Sequence, residues 1–180
     1  MRRLTLLLFS ILGVVGLSVA PAQVSAAPAC ASGWGSLPAV SRAQASAPLT
    51  GIHAGRHDCF DRLVFDLSGP ATGYYVGYVE QVGMDGSGAP VPLRGTAFLN
   101  ITVNAPAYDA SFTSTYDPAD RTELVDVRDY RTFRQASWAG SFEGQTRVGL
   151  GTRARLPFKV YTLDGPGSGS RVVVDVAHSW

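Results

Sequence analysis

From Arg62 to Leu67 the chain alternates in character: Leu63, Phe65 and Leu67 are apolar, and Arg62, Val64 and Asp66 fall between them. A period of two places each set on its own face of a β-strand. The same order returns near the other end, at Arg171-Val172-Val173-Val174-Asp175-Val176. If the two segments pair antiparallel with Val64 opposite Val173, Arg62 meets Asp175 and Asp66 meets Arg171; a parallel pairing sets like charges side by side. Each cross-strand charge pair is worth about 0.2–1 kcal/mol, and each of the six apolar side chains about 1.5–3 kcal/mol on full burial. Burial therefore holds the strands, and the charges select the register. The alternative is that the two segments occupy equivalent places in different sheets, related by an internal two-fold.

Further alternating or apolar runs predict strands at Leu49–His57, Tyr74–Val82, Val91–Leu93, Ala97–Val103, Leu124–Tyr130, Phe133–Phe142, Thr146–Leu150 and Phe158–Leu163. Gly51 and Gly55 mark the first of these as an edge strand. Turns fall at Arg56–Asp61, Gly83–Pro90 and Gly165–Gly169, and residues 104–123 form the longest stretch without a predicted element. No segment keeps a helical period over three turns; the best candidate, Pro118–Val127, is short and carries Thr122 and Val125. Many short strands separated by Gly/Pro turns predict an all-β domain, a sandwich or a barrel.

The first 26 residues change this picture, because they do not read as part of the fold. Met1-Arg2-Arg3, the apolar run Leu4–Val19 and the small residues Val24-Ser25-Ala26 have the form of a cleaved signal peptide. Residues 27–48 read as an amino-terminal arm with one anchor, Trp34, leaving a single domain over residues 49–180. Without Arg2 and Arg3, 13 basic residues face 14 acidic ones, and Lys159 is the single lysine. No basic run is present, which argues against a nucleic-acid partner, and no membrane span is expected once the leader is removed. Cys30 and Cys59 are expected to form one disulfide, worth about 3–4 kcal/mol for a loop of that length and tying the arm to the first central strand.

Few residues carry a recognisable chemistry. His53 and His57 sit at a zinc-like spacing only on a helix, which Gly51 and Gly55 oppose; on a strand the rings would lie about 13 Å apart. Asp58, Asp61 and Asp66 lack the spacing of a calcium loop. No metal and no cofactor is expected. Gly-x-Ser-x-Gly is absent, His178 is too near the chain end to serve as a base unless pinned there, and Glu143 is the glutamate best placed for a two-carboxylate hydrolase. Tyr75, one residue out of phase with Tyr74 and Tyr78, and the loop residues Tyr108 and Tyr116 are candidates to offer flat surfaces to a sugar or peptide. Asn100-Ile101-Thr102 is formally a glycosylation sequon.

Asp61–Pro70 and Ser170–Val176 together resemble the paired signatures of the AMIN domain, the targeting module of cell-wall amidases and some secretins. The ordered set Trp34-Gly35-Ser36-Leu37, Gly55-Arg56-His57-Asp58, Phe142-Glu143-Gly144, Leu156-Pro157-Phe158 and Val174–His178 is similar to the AMIN-like proteins secreted by actinobacteria. The resemblance implies a two-sheet β-sandwich and a non-catalytic role in the envelope, with a cell-wall polymer, peptidoglycan, or an envelope protein as partner. The alternatives are a small secreted hydrolase using Glu143 and a protein-only interaction or inhibitor module. The charged face of the repeated segment, Arg62, Asp66, Arg171 and Asp175, is expected to be exposed. Exposed ion pairs contribute little to stability, which makes these residues binding candidates beside Tyr75, Tyr108 and Tyr116.

Overall fold

The computed structural model describes Cys30, residues 33–44 and residues 47–180; the expected leader and the beginning of the arm lie outside them. Among the described residues there is no helix. These residues form nine strands: β1 (Ala39–Ser41), β2 (Leu49–Arg56), β3 (Phe60–Leu67), β4 (Tyr74–Val79), β5 (Ala97–Val103), β6 (Phe133–Phe142), β7 (Gln145–Thr152), β8 (Phe158–Asp164) and β9 (Ser170–Ala177). They form two antiparallel sheets, β1-β4-β5-β7-β6 and β2-β3-β9-β8. The fold is the expected two-sheet β-sandwich.

The repeated segments are β3 and β9, neighbours in one sheet, with Val64 opposite Val173, Arg62 opposite Asp175 and Asp66 opposite Arg171. The antiparallel reading holds, and the two-fold alternative does not. Leu63, Phe65, Leu67, Val172, Val174 and Val176 are all buried, in one cluster with Val76, Leu99, Ile101, Phe133, Val148 and Leu150 of the facing sheet.

Polar side chains tie the two sheets at specific points. The Tyr78 hydroxyl donates to the Leu156 carbonyl at 2.9 Å and accepts the Leu156 N–H at 3.0 Å, and the Tyr74 hydroxyl donates to the Val160 carbonyl at 3.2 Å. Asp61, almost fully buried, accepts the N–H groups of Thr132 (2.6 Å) and Phe133 (3.1 Å) on one carboxylate oxygen.

Three elements differ from expectation. The arm supplies β1, whose Val40 pairs with Tyr75, and before that Gly35 pairs with Phe158 of the other sheet. Val91–Leu93 is not a strand: Pro90 and Pro92 lack the N–H a ladder needs, and only Val91 bonds back, to Val82. Leu124–Tyr130 is a loop because Asp126 turns it, its carboxylate accepting the Arg128 N–H, while Val127 is buried and Leu124 and Val125 pack against the core.

The 80–96 connection folds over the outer face of the five-stranded sheet. Val82, Val91 and Ala139 form a small second core there, with Val79, Met84, Leu93 and Phe98 around it. Glycine makes this approach possible: a Cβ on Gly151 would overlap the Arg94 carbonyl, and one on Gly149 would come within 2.8 Å of Leu93. Part of that face is thereby covered, and a groove is left open beside it.

Candidate functional site

On the outer face of the four-stranded sheet, Asp175 is enclosed by the protein's own side chains. Arg62 donates from Nε to Asp175 Oδ1 (2.7 Å) and from Nη2 to Asp175 Oδ2 (2.9 Å), and Nη2 also donates to the Tyr161 hydroxyl (2.6 Å). Lys159 Nζ stands 3.6 Å from Asp175 Oδ2 and 4.5 Å from the centre of the Trp34 ring, with Tyr161 and Phe60 on its other sides. Asp175 is 0% exposed. The hydrogen bond to Asp175 raises the Arg62 pKa above its ordinary value against the opposing effect of burial, and burial, with the Asp175 charge, raises that of Tyr161. The arm lies over this cluster through Trp34, held by the Cys30–Cys59 disulfide that the sequence predicts. The expectation of an exposed charged face is therefore corrected at Asp175, which is closed off from water beneath Arg62 and the rings of Phe60, Tyr161 and Trp34, while Arg62 itself stays partly exposed.

Asp66 and Arg171 share a register position but do not form the second expected pair. Asp66 instead meets His53 at 2.9 Å, and Arg171 donates to the Gly165 carbonyl at 3.1 Å. His57 stacks on Phe60. Among the described residues no three His, Cys, Asp or Glu side chains gather as a metal site.

The open part of the five-stranded sheet forms a groove of about 660 Å³. Its floor follows from the register: Val40, Tyr75, Thr102 and Arg147 stand in one row across β1, β4, β5 and β7, with Asn100 in the next. Tyr75, at 40% exposure, faces away from the core that Tyr74 and Tyr78 enter, as its phase predicts. A Cβ on Gly77 would lie 3.0 Å from the Tyr75 hydroxyl oxygen, so the missing side chain lets the ring lie back along the sheet. Asn104, Gln145, Arg42 and Glu143 stand around it, and Asn100 of the sequon donates to Thr102 within the floor. Arg147 is held in place by Asp85 of the covering loop at 3.2 Å.

Tyr108 and Tyr116 are not in this groove. They line a second cleft with Phe112 and Trp138. The sequence offers no sign of Phe112 as a special residue, because nothing in its neighbours marks the left-handed backbone it adopts (φ 59°). Glu143 shares that conformation (φ 49°) at the β6–β7 hairpin tip, where it edges the groove.

These placements bear on catalysis. His178 is pinned after all: its N–H donates to Cys59, its Nε2 lies 3.0 Å from Asp61 Oδ1, and its Nδ1 lies 3.1 Å from the Asp58 carbonyl. With both ring nitrogens engaged, none is left to take a proton from a substrate. Among the described residues, Glu143 is the one carboxylate lining the groove. Glu123 and Asp126 share a shallow depression, but Arg94 and Arg128 pair with them, and hydrogen bonds from Arg128 hold Asp126 down at about 2. Asp126 is therefore no proton donor at neutral pH.

No curated protein matches the chain. The family model of the AMIN-like domain matches residues 47–178, from two residues ahead of β2 to the pinned His178. The match takes in both sheets except β1, and by it the chain belongs to the AMIN-like domain family.

Proposed function

We propose that the protein is an exported, non-catalytic binding module of the cell envelope, and that it holds wall polymer in the groove on the five-stranded sheet. The observation that carries this reading is the Tyr75 platform: an exposed aromatic ring laid along the sheet, with the amide and hydroxyl groups of Asn100, Thr102, Asn104 and Gln145 around it. Such a surface suits a hydroxyl-rich chain, whose C–H faces pack on the ring while its polar groups meet the amides. Membership of the AMIN-like family supports the envelope as the place of action. The disulfide fits an oxidising compartment outside the cytoplasm. Against the hydrolase reading stand the engaged ring of His178 and the single carboxylate of the groove.

The test is sedimentation with purified peptidoglycan sacculi at low salt. Wild-type protein is expected in the pellet, Tyr75→Ala in the supernatant, and Glu143→Gln in the pellet with no lysis of the sacculi by either it or the wild type. Wild-type protein remaining wholly in the supernatant would overturn the reading, and lysis abolished by Glu143→Gln would replace it with the hydrolase.

A further inference from the structure

We propose that the cleft floored by Trp138 is a second binding site, separate from the groove, that takes a neutral, hydroxylated six-membered sugar ring. The cleft has a volume of about 370 Å³, within the range of small-ligand sites, and flanks the β6–β7 hairpin whose tip edges the groove.

Its rim is built around an exposed aromatic held at a conformational cost. Phe112 is 82% exposed and has φ 59°, a backbone region that a bulky residue with a Cβ avoids. The turn around it is over-determined. The Asp109 carboxylate accepts the N–H groups of Ser111 (2.8 Å) and Thr113 (3.0 Å), the Asp109 carbonyl accepts that of Phe112 (2.9 Å), and Tyr108 pairs with Ser114. Tyr108 stacks on the Phe112 ring at 5.7 Å, and its hydroxyl accepts the Gly144 N–H of the hairpin. A ring kept in water by so many bonds, in a conformation it disfavours, adds nothing to the core.

The floor offers two donors to a ligand. Tyr116, half-buried, and Trp138, buried, lie 5.7 Å apart, and neither the phenol nor the indole N–H bonds to another described residue. Burial raises the Tyr116 pKa, so the phenol remains an O–H donor. Among the described residues the fully buried unbonded side-chain atoms are Asp85 Oδ2 and Arg147 Nε, so both of these donors reach the water of the cleft, where a ligand oxygen can take its place. The charges at the mouth, Asp117 and Arg121, neutralise each other at 3.3 Å, which favours an uncharged ligand over a phosphate or a peptide of one sign. Flat rings, two donors open to the cleft and a balanced charge pair together describe a sugar ring: hydroxyls for the donors, C–H faces for Phe112 and Trp138.

Calorimetric titration with the soluble β-1,4-linked tetramer of N-acetylglucosamine tests the site. Wild-type protein is expected to bind saturably in the millimolar range. Phe112→Gly is expected to bind about fivefold more weakly while melting no lower than wild type, since glycine accepts the left-handed φ. Tyr116→Phe, which keeps the ring, is expected to bind about threefold more weakly. Tyr75→Ala removes what the groove contributes and should still titrate saturably, and adding Phe112→Gly to it should weaken that remaining binding about fivefold, which separates this site from the groove. Absence of saturable binding in Tyr75→Ala up to about 10 mM, wild-type affinity in both Phe112→Gly and Tyr116→Phe, or no further weakening when Phe112→Gly is added to Tyr75→Ala would each overturn the assignment.

Discussion

The two outer faces of this sandwich use similar residues to opposite ends. On the four-stranded sheet, Arg62, Asp175, Lys159 and Tyr161 are drawn into one network and roofed by Trp34, so the polar groups satisfy one another. On the five-stranded sheet, Tyr75, Asn100, Thr102 and Gln145 stand in the same outward phase but have no roof, because the 80–96 connection stops at Gly149 and Gly151 and β1 covers only the far edge. An aromatic ring and polar side chains therefore act as a brace where the chain returns over them and as a binding surface where it does not. The strand pattern alone cannot distinguish the two, since the arm that makes the difference carries no pattern of its own.

This contrast gives a ranking of expected effects, from the roofed face to the open one. Replacing Cys30 and Cys59 by serine should cost about 3–4 kcal/mol, from the loop entropy of a 29-residue separation. Equilibrium denaturation checks it, and a loss under 1 kcal/mol would mean that the arm holds without the bond.

Next in size, Arg62→Ala leaves Asp175 buried with only the more distant Lys159 and the Tyr161 hydroxyl, and should destabilise by about 3 kcal/mol while each folded molecule still sediments with sacculi. An unchanged melting temperature with lost retention would move the binding surface back to the charged face. That outcome is the one the sequence alone favours, because it treats Arg62 and Asp175 as exposed.

Tyr78→Phe removes two hydrogen bonds to Leu156 and should cost about 1–2 kcal/mol. It also carries a pH signature. Burial raises the pKa of Tyr78 above the ordinary value of 10.0, so its contribution is complete below pH 10 and disappears as pH rises through the folded-state value. The alkaline fall in stability should be shallower in Tyr78→Phe than in wild type, and equal slopes would assign the fall to Tyr74, Tyr116, Tyr130 and Tyr161, whose values burial also raises.

Smallest in stability, and largest in retention, is the Tyr75 platform. Tyr75→Ala should change the unfolding free energy by less than about 0.5 kcal/mol. Gly77→Ala, which displaces the ring without removing it, should give part of the loss of retention seen in Tyr75→Ala. Full retention in Gly77→Ala would show that the ring's position over the sheet is immaterial.

How far the sequence reached can be read at particular residues. The β3–β9 register was legible to the residue, because the two-residue period and the paired charges act locally and together. The outward direction of Tyr75 was legible for the same reason, from its phase against Tyr74 and Tyr78. What lies over a strand was not legible. Asp175 became buried through Trp34, 141 positions away, and Asp66 found His53 across β2 rather than Arg171 across β9. Phe112 gave no signal because aromatic residues seldom adopt a left-handed backbone, and His178 was discounted because its anchors, Asp58, Cys59 and Asp61, are far away in the chain.

The arm's disulfide has a further consequence, for how the domain carries load. Tension on the chain ahead of Cys30 passes through the S–S bond to Cys59 and bypasses the residues between them, so β1 and β2 are spared. The force then enters β3 at Phe60, which sits opposite Ala177, the last residue of β9. A pull between the two ends consequently opens the β3–β9 ladder rung by rung from that point instead of shearing it all at once, and the sandwich is mechanically soft along the line joining its ends.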